Sequence, residues 1–158
     1  TYIYTNEFAS AAGSQRGTLT DTTGTDTINA AAVSAASTIN LVAGTTSTIA
    51  GRNLTITTGS TIENAYTGDG NDTITGNTAA NYLSAGRGND TVSGGDGNDT
   101  VDGGAGNDSL TGGNGVDTFI IRKENGATDT IMDFNTATAG ETLALMGFNS
   151  TVDFSSVT

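Results

Sequence analysis

Residues 67–120 divide into six consecutive units of nine: TGDGNDTIT (67–75), GNTAANYLS (76–84), AGRGNDTVS (85–93), GGDGNDTVD (94–102), GGAGNDSLT (103–111) and GGNGVDTFI (112–120). The eighth position is always apolar: Ile74, Leu83, Val92, Val101, Leu110 and Phe119. The sixth is Asp72, Asn81, Asp90, Asp99, Asp108 and Asp117, and the fourth is Gly in every unit except the second. A fixed period carrying one apolar residue per unit is the signature of a stacked repeat rather than of a flexible acidic linker, which needs no periodic Ile, Leu or Val.

The spacing has a direct physical reading. Glycine lets the first six residues turn tightly. The last three then form a short strand whose middle side chain points inward. Nine residues make half a coil, so two units complete a coil and lay one strand on each of two parallel sheets. At ~4.8 Å between strands, the three coils predict roughly 14 Å of solenoid. Two inward ladders follow, Ile74–Val92–Leu110 on one sheet and Leu83–Val101–Phe119 on the other. Each buried side chain contributes ~2 kcal/mol. Ordering nine residues costs more, at ~1–2 kcal/mol of backbone entropy each. Aspartates stacked every second unit also repel one another. The fold therefore calls for a cation, and carboxylates with turn carbonyls form an oxygen-only cage suited to Ca²⁺ rather than to Mg²⁺, which demands strict octahedral geometry.

Outside the repeats the chain reads as further short strands. Thr38-Ile39-Asn40-Leu41, Leu54-Thr55-Ile56-Thr57, Phe119-Ile120-Ile121 and Thr142-Leu143-Ala144-Leu145 are β-type runs mostly bounded by Gly, Asn, Asp or Ser. Helical periodicity is weak, even in the Ala-rich stretch 30–36. The predicted class is all-β, a right-handed parallel β-roll extended and capped by additional strands. One continuous domain is expected, with N-terminal strands over 1–66, six repeats over 67–120 and capping strands over 121–158.

Composition removes most other chemistry. The 158 residues include 23 Gly and no Pro, Cys, His or Trp, and 17 acidic against 5 basic residues give a formal charge of −12. No disulfide, zinc–thiolate site, Ser-His-Asp system or histidine proton shuttle is possible. A polyanion is repelled by nucleic acid and by anionic membranes. No apolar run approaches the ~18–20 residues of a membrane helix. The start at Thr1 lacks a charged n-region and an apolar h-region, so no signal peptide is read and the chain is expected to be a segment of something longer.

Other readings of the Gly/Asp stretches fail on chemistry. An EF-hand needs Glu at loop position twelve and flanking helices. A phosphate cradle at Gly95-Asp96-Gly97 lacks the strand–helix context and sits among repelling carboxylates. Paired glycosidase carboxylates are explained better by structural calcium. The Asn-x-Ser/Thr matches at Asn71, Asn89, Asn98 and Asn107 are by-products of the repeat. Arg122-Lys123, the single adjacent basic pair, is expected in a solvated turn, and Tyr2, Tyr4 and Phe8 in core or cap packing.

The nonapeptides resemble the RTX calcium-binding β-roll repeat. In that family one turn gives carbonyls two and four with its Asp, and the turn two units on gives carbonyls one and three with its Asp. The resemblance implies that Gly68, Gly70 and Asp72 share an ion with Ala85, Arg87 and Asp90. It pairs Gly86, Gly88 and Asp90 with Gly103, Ala105 and Asp108, and Gly95, Gly97 and Asp99 with Gly112, Asn114 and Asp117. Between Asn77, Ala79, Asn81 and Gly94, Asp96, Asp99 it implies a weak site or none, because Asn81 replaces a carboxylate.

The flanks resemble the C-terminal domain of serralysin-type secreted metalloproteases. Leu19-Thr20-Asp21-Thr22-Thr23-Gly24-Thr25-Asp26-Thr27-Ile28 and Thr61-Ile62-Glu63-Asn64-Ala65 carry this, and imply a further calcium held by Asp21, Thr23, Asp26, Thr61 and Glu63. Asp129-Thr130-Ile131-Met132-Asp133-Phe134 and Glu141-Thr142-Leu143-Ala144-Leu145 resemble the capping strands, with Glu141 and Ala144 in place of usual aspartates. No H-E-x-x-H is present, and Val152-Asp153-Phe154 only partly resembles the family's secretion tail.

What the resemblance implies is a calcium-binding module of a secreted bacterial hydrolase, with a serralysin-like protease favoured. Its partners would be several Ca²⁺ ions, the type I secretion machinery and an upstream catalytic domain of the same chain, with no nucleic acid and no membrane insertion. The segment itself would not be an enzyme. In the low-calcium cytosol the chain would stay extended, and extracellular calcium would fold it. The alternative is a carbohydrate-binding or adhesin RTX module of an extracellular polysaccharide-modifying enzyme or surface protein. Four calcium ions would bring the formal charge of −12 to about −4.

Overall fold

The computed structural model describes residues 1–5, 17–124, 126–135 and 140–148. The sequence expectations at Phe8 and at Val152-Asp153-Phe154 lie outside these residues. Fifteen strands are described: β1 Tyr2–Thr5, β2 Thr18–Leu19, β3 Thr27–Ala32, β4 Thr38–Asn40, β5 Thr46–Ile49, β6 Arg52–Ile56, β7 Asn64–Tyr66, β8 Thr73–Thr75, β9 Tyr82–Ser84, β10 Thr91–Asp96, β11 Thr100–Asp102, β12 Ser109–Asn114, β13 Thr118–Arg122, β14 Thr130–Ile131 and β15 Thr142–Met146. There is no helix among the described residues, and so none long and apolar enough to cross a membrane.

The strands form two sheets. One runs β1-β3-β7-β9-β11-β13-β15 and is parallel throughout. The other runs β14-β12-β10-β8-β4-β5-β6-β2. Odd and even units alternate between the sheets, as a half-coil repeat requires. Val92 lies in register with Ile74 and Leu110, and Val101 with Leu83 and Phe119. All six side chains are buried between the sheets. Each turn is tied to the next coil by the same bond: the amides of Thr91, Ser109 and Thr118 donate to the carbonyls of Asp72, Asp90 and Asp99 at 2.8–2.9 Å.

Stacking at this distance leaves no room for a side chain in the turns. A β-carbon on Gly106 (φ 133°) would fall on the carbonyl oxygen of Gly88, and one on Gly88 (φ 141°) on that of Gly70. The fourth-position glycine is thus fixed by two independent constraints, backbone hand and packing.

Upstream the roll is less regular. β4 pairs parallel with β8, but β5 and β6 fold back antiparallel, with Ser47 opposite Leu54 and Ile49 opposite Arg52. Ala50 and Gly51 make the turn, both at positive φ. This hairpin brings Ile49, Leu54 and Ile56 into the same core as Ile39 and Leu41. Tyr2 packs partly buried against that core.

Candidate metal centres

The turns stack into two columns on opposite sides of the roll. In one, the backbone amide of Ser37 donates to Asp72 Oδ1 (2.6 Å), that of Asp72 to Asp90 Oδ1 (2.7 Å), and that of Asp90 to Asp108 Oδ1 (2.9 Å). In the other, the Asn81 amide donates to Asp99 Oδ1 (2.8 Å) and the Asp99 amide to Asp117 Oδ1 (2.9 Å). One oxygen of each carboxylate is therefore spent on holding the preceding coil.

The second oxygen is not. Oδ2 of Asp72, Asp90, Asp99, Asp108 and Asp117 is buried without a hydrogen-bond donor. These side chains are only 1–2% exposed. An ionised carboxylate in that setting is strongly unfavourable without a compensating charge. Burial pushes the Asp90 carboxyl up to about 7, and neighbouring Asp108 and Asp72 add to the rise. Burial, then Asp117 and Asp96, takes Asp99 to about 6. Burial, then Asp129, Glu124 and Asp102, takes Asp108 to about 6. Asp72 is raised as well, again chiefly by burial. A hard cation among oxygen ligands meets this need, whereas no three acidic or other metal-binding side chains converge on one point among the described residues. Any ion in the columns must accordingly draw on turn carbonyls as well as on carboxylates.

The three expected roll sets are each brought together by stacking. For the first, the Arg87 amide donates to the Gly68 carbonyl (2.8 Å), and Asp69 bridges in parallel register to Arg87. The Arg87 guanidinium lies outward, 3.5 Å from Asp69. Here Thr67 stands where units two, four, five and six have Gly, and its hydroxyl donates to the Ala85 carbonyl at 2.6 Å. That expected ligand already carries a protein donor. For the second set, Ala105 donates to Gly86 and Gly88 to Ala105, both at 2.8 Å. For the third, Gly95 is in register with Gly113, and Gly97 donates to the Asn114 carbonyl at 2.8 Å. A β-carbon on Gly103 or Gly112 would fall on Oδ2 of Asp108 or Asp117, respectively, in the same turn.

The second unit differs. Positions two and four have positive φ in units three to six, but Asn77 and Ala79 do not. The Asn81 carboxamide is fully occupied. Its Oδ1 accepts from the Asn77 amide (2.8 Å), and its Nδ2 donates to the Glu63 carbonyl (3.0 Å) and Asn77 Oδ1 (3.3 Å). No buried oxygen there awaits a cation.

The upstream set is also assembled. Thr61 donates to the Asp21 carbonyl, Glu63 to the Asp26 carbonyl, and the Asp26 amide to Glu63 Oε2 at 2.7 Å. Asp21 accepts from the Thr23 amide and the Tyr2 hydroxyl, which together hold its carboxyl below the usual range. This set is more open than the columns, and the carboxylates of Asp21 and Glu63 already accept from protein donors.

Sequence reasoning missed how the first column ends. The Asp108 amide donates to Asp129 Oδ1 (3.2 Å), the Thr130 amide to the Asp108 carbonyl (2.7 Å), and the Gly106 amide to Glu124 Oε2 (3.0 Å). Asp129-Thr130-Ile131 echoes Asp72-Thr73-Ile74, but a step of 21 residues instead of 18 hides it from a nine-residue count. At the other column's end the Thr142 amide donates to the Asp117 carbonyl, which puts Glu141 at the sixth position of a further coil. Its Oε2 accepts from the Asn135 amide, and Ala144 is in register with Ile120. The solvated turn expected at Arg122-Lys123 is corrected. Arg122 ends β13, and its Nε and Nη2 both donate to Asp102, a side chain 1% exposed. An aspartate buried at the ninth position needs that cation.

A family model, the RTX calcium-binding nonapeptide repeat (4 copies), matches residues 57–92, 66–101 and 93–120. No curated protein matches the chain. Such repeats bind calcium ions and form structural, not catalytic, modules.

Proposed function

We propose that these RTX repeats make the chain a calcium-triggered folding module of a secreted bacterial protein, supporting type I export and then stabilising a neighbouring domain. The observation that carries this reading is the set of five buried, donorless aspartate oxygens along the two columns. Without cations each opposes the fold. With cations each becomes a ligand. Calcium that binds only the folded state stabilises it by mass action, so folding follows the calcium gradient across the cell envelope.

The ligands proposed are those of the three stacked sets: Gly68, Gly70 and Asp72 with Ala85, Arg87 and Asp90; Gly86, Gly88 and Asp90 with Gly103, Ala105 and Asp108; Gly95, Gly97 and Asp99 with Gly112, Asn114 and Asp117. Asp21, Thr23, Asp26, Thr61 and Glu63 form a more exposed fourth set, and Asp129 with Glu124 extends the first column. When bound, calcium supplies positive charge and oxygen coordination. The chain's own residues supply the cage, the turn geometry and the apolar ladders that keep water out. The proposed organisation is one domain, with strands over 1–66, repeats over 67–120 and a cap over 121–158. A serralysin-like metalloprotease is the proposed parent, on the strength of the flanking Asp21–Asp26 and Thr61–Glu63 segments.

Circular dichroism and sedimentation of the whole chain, titrated with calcium and separately with magnesium, test this. A calcium-specific gain of β signal and compaction is expected. An unchanged spectrum and sedimentation coefficient between EGTA and millimolar calcium overturn it.

A further inference from the structure

The requirement for calcium is unevenly distributed along the roll. Of the nineteen buried apolar residues described, twelve lie between Leu19 and Ala65 and seven in the repeats. The upstream twelve include Ile28, Ile39, Leu41, Ile49, Leu54, Ile56 and Ile62, all fully buried. They are drawn together by a local antiparallel hairpin as well as by coil stacking. The donorless aspartate oxygens have the opposite distribution. Four of the five lie from Asp90 onward, and one, on Asp72, lies upstream of Ala85.

Asn81 and Asn77 sit at the boundary. The Asn81 Nδ2 occupies the role a cation would take in the other units, and donates to the carbonyl of Glu63 in the preceding coil. Asn77 Nδ2 reaches the carbonyls of Ile62 (2.8 Å) and Leu41 (3.3 Å). Two neutral amides thus join the second repeat to both sheets upstream. They do so with hydrogen bonds alone, and leave no charge to be neutralised.

We infer that the roll carries a nucleus, residues 19–84, that folds before any ion is bound and is closed by the Asn77–Asn81 amide staple; ions at the Asp21–Glu63 set and at Asp72 then bind coils already formed, whereas folding of the coils from Ala85 onward is coupled to calcium and grows from that nucleus toward the C-terminus. This rests on the proposed calcium-triggered folding and narrows it to the coils from Ala85 onward. A stacked array needs one coil in place before the next can pair, because each strand's partners come from its neighbours. The nucleus provides that first template on the side where the apolar core is largest.

Hydrogen exchange of the full chain, read by mass spectrometry in EGTA and in calcium, tests it. In EGTA, protection is expected over the strands between Leu19 and Ser84 and is expected to be lacking over 85–120. Calcium should then protect the latter. Asn81→Asp should speed exchange over 62–66 and 77–84 in EGTA by about ten- to hundredfold, because it replaces two donated bonds with a buried charge facing Asp99. Calcium should restore protection. Should that variant not fold even in calcium, Asn77→Ala, which adds no charge, is expected to accelerate the same segments. No protection anywhere in EGTA, with calcium protecting the whole roll, overturns the nucleus and leaves calcium-coupled folding standing. Full protection of 85–120 in EGTA overturns the folding mechanism itself. Wild-type exchange in both variants removes the staple.

Discussion

Asp90 is the middle rung of its column, and this position sets the size of its effect. Its Oδ1 accepts from Asp72 below, while its own amide donates to Asp108 above. It belongs to two proposed calcium sets. Asp72 belongs to one, since its upstream neighbour in the column is Ser37, which offers an amide and no carboxylate. Asp90→Asn keeps the Oδ1 acceptor and the shape, but puts an uncharged NH2, a donor that cannot ligate a cation, in place of Oδ2. Asp90→Asn should therefore lose two bound ions and Asp72→Asn one. Each ion held at a hundred times its Kd stabilises the fold by about 2.7 kcal/mol. The expected losses are then about 5 and about 3 kcal/mol. Asp69→Asn, on an exposed side chain that meets Arg87 outside the column, should lose none. Equilibrium dialysis gives the ion counts, and denaturant unfolding at fixed free calcium gives the energies. Equal ion losses for Asp90→Asn and Asp72→Asn would refute the shared-rung arrangement. So would an unchanged count in Asp90→Asn.

Acidity should act in opposite directions with and without metal. Asp90 near 7 and Asp99 and Asp108 near 6 bind protons more tightly folded than unfolded, so the metal-free roll is most stable below about pH 4 and loses that stability as pH rises through about 6 to 7. Calcium requires the ionised form, so its apparent affinity should fall as pH drops through the same window; an affinity flat from about pH 7.5 to 5.5 counts against the columns as ligands. Arg122→Ala leaves the buried Asp102 carboxylate with the Gly104 amide as its one remaining donor and should cost about 1–3 kcal/mol in calcium, measured by chemical unfolding; a loss under about 0.5 kcal/mol would make the pair incidental. Gly106→Ala places a β-carbon on the Gly88 carbonyl and should weaken calcium binding while leaving exchange protection upstream of Ala85 intact; a variant with wild-type ion count refutes the close stacking.

Much of this molecule is legible in sequence because its contacts recur at one separation. A step of 18 residues links Asp72 to Asp90, Asp90 to Asp108, Val92 to Leu110 and Val101 to Phe119, so nine-residue counting alone assigns both ladders and both aspartate columns. Composition completes the reading: with no Cys or His, and with carboxylates recurring among glycines, an oxygen-bound cation is the chemistry left. What lay beyond the sequence sits at separations that do not recur. Asp129 enters the column after a step of 21 from Asp108, and Arg122 finds Asp102 across 20. The β5–β6 hairpin joins an otherwise parallel sheet.

The second repeat shows the division most clearly. Its sequence announces a missing carboxylate at Asn81 and hence a lost ion. Only the packed structure shows that the same amide reaches Glu63, and its neighbour Asn77 reaches Ile62 and Leu41, so the coil closes there by neutral hydrogen bonds. Periodic spacing fixes which residues stack, because identical units must meet at identical intervals. Whether a given oxygen ends with a donor or with none depends on non-repeating neighbours, and those are brought to it only by the folded chain.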